Sequence, residues 1–416
     1  MFIVYAVFFT ALLVQWRLWG VVDIANPVVF FLDYHLLFLS FGVLIYYLKI
    51  YPAYEISSLT LKLVLLSYFL SVTSAAVTWL FLCAGLNIKP LRASIKRFHM
   101  SGSHAGSAFA KNCWWVGVIL AAIVFLRSDF AALQGILAGT SYENARVEAA
   151  SGNGFFILPS QVLLLIGSSW ILVEGKSTRW LKMVVFFVSS ICMISFGFRS
   201  GVVFLFLAVL VFKCYSSYGK LPFLKLAIFS VVMLIAVVAM GVVRQGADDF
   251  ISRFNATLLW RSFVTLYNLD VIINNYKDFL LGGGIVKEIS VVIPGADVNL
   301  GMYLKHNLGY EFPGGGITPS YIGAGFVDFG LVGAYLYPVF SGFLVVVVYA
   351  LWPILLGRSK ISFLLLLLFS ITTSGISAAG FMTPYLYFGV PIILLASVIT
   401  VFERRKPARD RGMVIE

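Results

Sequence analysis

Apolar runs long enough to cross a bilayer recur along this chain, separated by short polar connections. A window of about 19 residues places spans at 2–18, 28–48, 60–86, 112–127, 157–173, 181–198, 200–216, 222–243, 320–349, 361–376 and 380–402. A helix needs about 20 residues to traverse the hydrocarbon core, so the segments at 112 and 361 are short and the one at 320 is long enough to tilt. The pattern predicts an all-α, polytopic membrane helix bundle of about eleven transmembrane helices, one integral domain over 1–416, with one long external loop at 244–319. No internal repeat stands out.

The long loop carries its own pattern. Phe250, Phe254, Leu258, Leu259, Phe263, Leu266, Leu269 and Ile273 recur near a 3.6-residue period, which predicts an amphipathic helix or pair lying on the bundle mouth. Gly282, Gly283 and Gly284 interrupt it, the β-branched run Ile289 to Ile293 has the composition of a single strand, and Thr318 followed by Pro319 reads as the cap and first position of the next helix.

Composition agrees with lipid as the solvent: 61% of the 416 residues are hydrophobic and only 12% are charged, a ratio no soluble core of this length could absorb. The net charge of +12 would suggest nucleic acid in a soluble protein, but here topology explains it, and no nucleic-acid partner is expected. With Arg404, Arg405, Lys406, Arg409 and Arg411 inside, the alternation of spans puts Lys89, Arg92, Lys96, Arg97, Lys111, Lys176, Arg179, Lys182, Lys213, Lys220, Lys225, Arg358 and Lys360 inside as well. The C-terminus is then cytoplasmic and 244–319 lies outside. The first segment has Arg17 after its apolar run rather than before it, the wrong order for a cleaved signal, so it is expected to remain as a helix. Cys83, Cys113, Cys192 and Cys214 lie in apolar runs without ligand spacing and read as small hydrophobes.

Against that positive-inside bias, Arg127, Arg146, Arg199, Arg244, Arg253 and Arg261 fall outside, beside Lys277, Lys287 and Lys305. Arginines kept on the depleted side suit an anion. Arg199 sits in a Gly197 to Gly201 turn so short that its guanidinium must lie at the membrane boundary, where charge needs a polar cavity or a partner; a snorkelling hairpin clamp is the other reading. Arg253 and Arg261 are eight residues apart, nearly one helical face, and two planar forks on one face suit a diphosphate; headgroup contact is the alternative. Gly315 and Thr318, in the run 313–320, place amides and a hydroxyl at a helix N-terminus. His306 is the external histidine that could take a proton from a hydroxyl, and Asp248, Asp249, Asp270, Glu288, Asp297 and Glu311 are further possible bases or sugar partners. Asp33 and Asp328, inside spans, need partners or a wet cavity; Asp328 lies seven residues after Tyr321, on its face, and Gly323, Gly330 and Gly333 would let another helix come close. No zinc motif, Asp-x-Asp pair or nucleotide fingerprint occurs, so no metal, cofactor or nucleotide sugar is called for.

The stretch 313–342, PGGGITPSYIGAGFVDFGLVGAYLYPVFSG, resembles the segment that follows the large periplasmic loop of Wzy-type O-antigen and capsule polymerases. The turn Phe198, Arg199, Ser200, Gly201 is similar to the Ser-Arg-Ser/Gly turn of that family, with Phe198 in place of Ser, and Arg146 with Gly152 and Gly154 resembles its earlier arginine loop. The resemblance implies glycosyl transfer between undecaprenyl-diphosphate-linked oligosaccharides at the outer face of the bacterial inner membrane. It also implies Arg146, Arg199, Arg244, Arg253 and Arg261 as diphosphate contacts and a base in the long loop. Arg199, Arg253, Arg261 and His306 are therefore the expected catalytic residues. Arg146, Arg244, Tyr321, Asp328, Gly315 and Thr318 are the expected substrate contacts, and a polysaccharide chain-length regulator is a possible partner. An O-antigen ligase uses the same donor, and a lipid-linked glycan transporter would favour charges along spans and helices interrupted at the midplane.

Overall fold

The computed structural model describes residues 2–19, 26–86, 104–131, 134, 152–174, 177–196, 199–218, 259–290, 299–311, 316–356, 359–377 and 379–405. All regular structure among them is helical. The helices are α1 (Phe2–Trp19), α2 (Pro27–Tyr47, with a π-turn at Leu36–Ser40), α3 (Ser58–Leu86), α4 (His104–Arg127), α5 (Gly154–Val173), α6 (Arg179–Ser195) and α7 (Arg199–Tyr218). After them come α8 (Arg261–Asn275), α9 (Gly283–Ser290), α10 (Leu300–Asn307), α11 (Ser320–Leu355), α12 (Lys360–Thr373) and α13 (Val390–Arg405), the last entered through a π-turn at Tyr385–Gly389.

Five of these, within α2, α3, α4, α5 and α11, are long and apolar enough to cross a membrane, and four shorter apolar helices accompany them. Their outer surfaces carry what a soluble protein would hide: Leu80, Phe81 and Trp180 are 62%, 74% and 76% exposed. Such faces are stable only against lipid. This is a multi-pass membrane helix bundle.

Boundaries differ from the hydropathy pattern where polar residues extend a helix. α4 begins at His104, eight residues before its apolar window, and so reaches 24 residues. The amphipathic periodicity after 250 is realised as α8, which buries Phe263, Leu266, Leu269 and Ile273; residues 250–258, the expected span at 222–243 and residues 135–151 lie outside the described residues. The β-branched run at 289–293 is not a strand where it is described: Ile289 and Ser290 close α9.

Helices approach closely through small residues, as lipid-solvated bundles require. A Cβ on Gly342 of α11 would stand 2.4 Å from the Ser71 carbonyl of α3, and one on Gly167 of α5 would stand 2.5 Å from the Trp114 amide of α4. The connection between α2 and α3 touches α8: Asp270 Oδ1 accepts from Ser57 N at 2.9 Å, Ser57 Oγ at 2.7 Å and Thr60 Oγ1 at 2.6 Å. That contact joins the start of α3 and the connection before it to α8.

Candidate functional site

The expected long, tilted helix at 320 is instead broken. Phe329 (φ −135°, ψ 21°) and Gly330 (φ 63°, ψ −145°) leave the helical region. The chain reverses there, because a Cβ built on Gly325 would stand 2.3 Å from the Gly333 carbonyl oxygen, whereas residues eight apart in a straight helix are separated by about 12 Å. The positive φ explains Gly330, and the Phe279 ring, 3.1 Å from a Cβ built there, fills the remaining space. α11 is thus a short arm, 320–328, folded against a long arm that begins at Leu331.

A helix end inside a bundle must have its carbonyls satisfied, and the segment between α8 and α9 does this. Leu280 N donates to Val327 O and Leu281 N to Asp328 O, both at 2.9 Å. The Asp328 side chain, fully buried, accepts from Gly284 N at Oδ1 and from Tyr337 OH at Oδ2, both at 2.6 Å. Asp328 therefore joins three pieces: the turn of the short arm, the first turn of α9 and the long arm.

The other end of the short arm is tied to the bundle core. Tyr321 OH lies 2.6 Å from His35 Nδ1, and His35 Nε2 lies 3.3 Å from Val64 O. A carbonyl can only accept, so Nε2 carries the ring hydrogen and Nδ1 accepts from the tyrosine. Ser71 Oγ is 3.4 Å from the same hydroxyl and donates to Pro338 O at 3.2 Å. Beside this pair, Gln15 Nε2 donates to Asp33 Oδ1 at 2.8 Å and Tyr68 OH donates to Gln15 Oε1. Thr318 does not cap the arm: Pro319 precedes the helix without a side-chain cap, and Ser320 Oγ accepts from Gly323 N at 3.4 Å.

Two acids of the 244–319 segment expected as possible bases are used as ties. Asp270 holds the α2–α3 connection, as described above. Glu288, 3% exposed, accepts from the backbone N–H groups of Phe381 (3.1 Å), Met382 and Thr383 (3.2 Å), ahead of the last helix. Burial is the largest influence on its carboxyl and pushes it up to about 7, against the pull of those three N–H donors.

Arg261 opens α8 and is exposed; two turns on, Asn268 Nδ2 donates to Thr318 Oγ1 at 3.5 Å. His306 is exposed in the last turn of α10. Lys287 places Nζ 4.4 Å from the centre of the Tyr303 ring, a cation–π contact between α9 and α10. Arg199 opens α7. Tyr321 and Asp328 share the short arm with their polar atoms committed to the protein. Arg146, Arg244, Arg253 and Gly315 lie outside the described residues.

Sequence reasoning missed His35 as a partner, Glu288 as a tie and the break itself. The glycines at 325, 330 and 333 were the available signal: they mark a close approach, but of the segment to itself. Among the described residues, no cluster of His, Cys, Asp and Glu could hold a metal ion. A family model described as "Putative O-antigen polymerase" matches residues 23–388. No curated protein and no solved structure matches the chain.

Proposed function

The chain belongs to the O-antigen polymerase family, which polymerises oligosaccharide repeat units, and from that premise we propose that it does so on undecaprenyl-diphosphate-linked units at the periplasmic face of the inner membrane. The family match, running from before α2 to the last π-turn, is the observation that carries this reading. About eleven spans, a cytoplasmic C-terminus and an external 244–319 segment complete it.

In the reaction, a terminal hydroxyl oxygen of one lipid-linked glycan bonds to the anomeric carbon of the other. The bond from that carbon to the diphosphate breaks, and undecaprenyl diphosphate leaves with its electron pair. The hydroxyl proton passes to a base, for which exposed His306 is the proposed group. Negative charge grows on the departing diphosphate, so fixed cations stabilise the transition state more than the ground state. Arg199, Arg253 and Arg261 are assigned that role, with Arg146, Arg244, Gly315 and Thr318 holding the same substrate. Tyr321 and Asp328 are assigned as positioning residues: they fix the short arm, and through Asn268 the Thr318 end of that arm is joined to the helix that Arg261 begins. No nucleotide, metal or other cofactor enters this chemistry, because the sugar arrives activated.

The broken helix gives the transporter reading one supporting feature. Purified protein supplied with a defined lipid-linked repeat separates the two: the expected result is a ladder of longer lipid-linked glycans, and a substrate that only changes leaflet would overturn the assignment. Loss of the gene leaving single repeats on the lipopolysaccharide core marks a polymerase, whereas long glycan stranded on its carrier marks a ligase.

A further inference from the structure

We infer that the rings of Tyr51, Tyr54, Trp260 and Tyr267 form a stacking platform for a pyranose ring of the growing glycan, an inference that rests on the polymerase reading. Two segments more than two hundred residues apart converge there. The Trp260 ring centre is 5.0 Å from Tyr51 and 5.5 Å from Tyr54, and Tyr54 is 5.1 Å from Tyr267. Beneath them, buried Phe263 lies 5.0 Å from Tyr51 and 5.7 Å from Tyr54. The four upper rings are partly exposed, and Arg261, the residue after Trp260, is exposed.

Aromatic rings at a membrane edge ordinarily serve as an anchoring belt. Two observations set this group apart. Its rings pack on one another over a buried floor, and the loop that carries Tyr51 and Tyr54 is fixed to the Asp270 carboxylate of α8 by two hydrogen bonds from Ser57, with a third from Thr60 in the first turn of α3. A platform already ordered loses little entropy when it binds, and Tyr and Trp combine a flat apolar face with a polar edge. A pyranose has the matching form, with C–H groups on its faces and hydroxyls around its rim. Arg261 directly follows Trp260 and begins the helix that carries Tyr267, so the rings and a cation assigned to the diphosphate belong to one stretch of chain.

The test uses the full chain in bilayer nanodiscs with its lipid-linked repeat, comparing wild type with Tyr54→Leu, Tyr267→Leu and the ring-preserving Tyr54→Phe. Leucine retains apolar bulk and anchoring but offers no ring. The leucine variants are expected to raise KM about tenfold, a much larger change than in kcat, with Tyr54→Phe recovering most of the affinity. The free repeat-unit oligosaccharide, bearing neither lipid nor phosphate, is expected to inhibit wild type competitively and to lose that inhibition in the leucine variants. Unchanged KM and unchanged inhibition in well-expressed leucine variants would assign the rings to anchoring and overturn the platform. If wild type elongates nothing, the polymerase reading fails instead; saturation-transfer NMR with the free oligosaccharide then decides the platform, transfer lost in Tyr54→Leu upholding it and transfer absent in wild type overturning it.

Discussion

Tyr321 donates its hydroxyl hydrogen to His35 Nδ1 at 2.6 Å across 286 positions of sequence, joining the short arm of α11 to the middle of α2. Both residues are fully buried. A buried donor or acceptor left unmet bears its full desolvation cost, so this bond helps fix where the short arm begins, with Ser71 near the same hydroxyl and Asn268 holding Thr318.

Tyr321→Phe leaves His35 Nδ1 without its donor. The expected loss is about 1–3 kcal/mol of stability, read as a lowered unfolding temperature in detergent. His35→Leu together with Tyr321→Phe should recover part of that loss, because an apolar pair leaves nothing unmet. A double variant as unstable as the sum of the singles would show that the two side chains are not coupled.

Gly325→Val drives a side chain into the Gly333 backbone, whose oxygen is 2.3 Å from the first added carbon. Backbone cannot step aside as a flexible side chain can, so the two arms must separate. Membrane abundance and polymer length should both collapse. Gly85→Ala, where an added Cβ meets nothing within 4 Å, is the control expected to stay within about 0.5 kcal/mol of wild type.

Glu288 gives a pH dependence with a definite sign. Its folded carboxyl keeps a proton up to about 7, against an ordinary value of 4.5, so over that interval the folded chain binds more protons than the unfolded one. Its contribution to stability is therefore complete below about 4.5 and is lost as pH rises through about 7. Unfolding temperatures measured from pH 4.5 to 8 should decline in wild type relative to Glu288→Gln, which cannot titrate. Parallel curves for the two proteins would remove Glu288 as the cause.

Arg261→Ala removes an exposed cation at the start of α8. Turnover is expected to fall about a hundredfold with normal membrane abundance if the guanidinium meets the departing diphosphate, and Arg261→Lys should recover part of it. Arg199→Ala and His306→Ala are expected to shorten the polymer in the same assay. Full-length polymer from any of these variants removes that residue from the reacting centre.

The sequence by itself determined the solvent and the helices. Runs of Leu, Val, Phe and Ile have no destination but lipid, and a backbone in lipid has to satisfy its own hydrogen bonds within each helix, so apolar length located the described helices α1 to α3, α5 to α7 and α12 closely, while α4 starts eight residues early, α13 starts later than its window and α11 is broken. The 3.6-residue spacing of Phe263, Leu266, Leu269 and Ile273 likewise located α8. Sequence also offered the external arginines as anion contacts, and recognised segments 198–201 and 313–342 as those of a polymerase.

What it could not decide were the relationships between residues far apart in the chain. Asp328 needs a partner that the sequence cannot name, and Glu288 reads as a possible base, until their oxygens are seen to accept from Gly284 and from the amides of 381–383. His35 reads as one residue in an apolar span until Tyr321 arrives beside it. Gly330 is as compatible with a straight helix packed on a neighbour as with a reversal, because a glycine permits both, and only the packing of Phe279 against it and of Gly325 against Gly333 selects the fold-back. Local propensity sets which conformations a segment can adopt; the partners brought to it by the rest of the bundle set which one it takes.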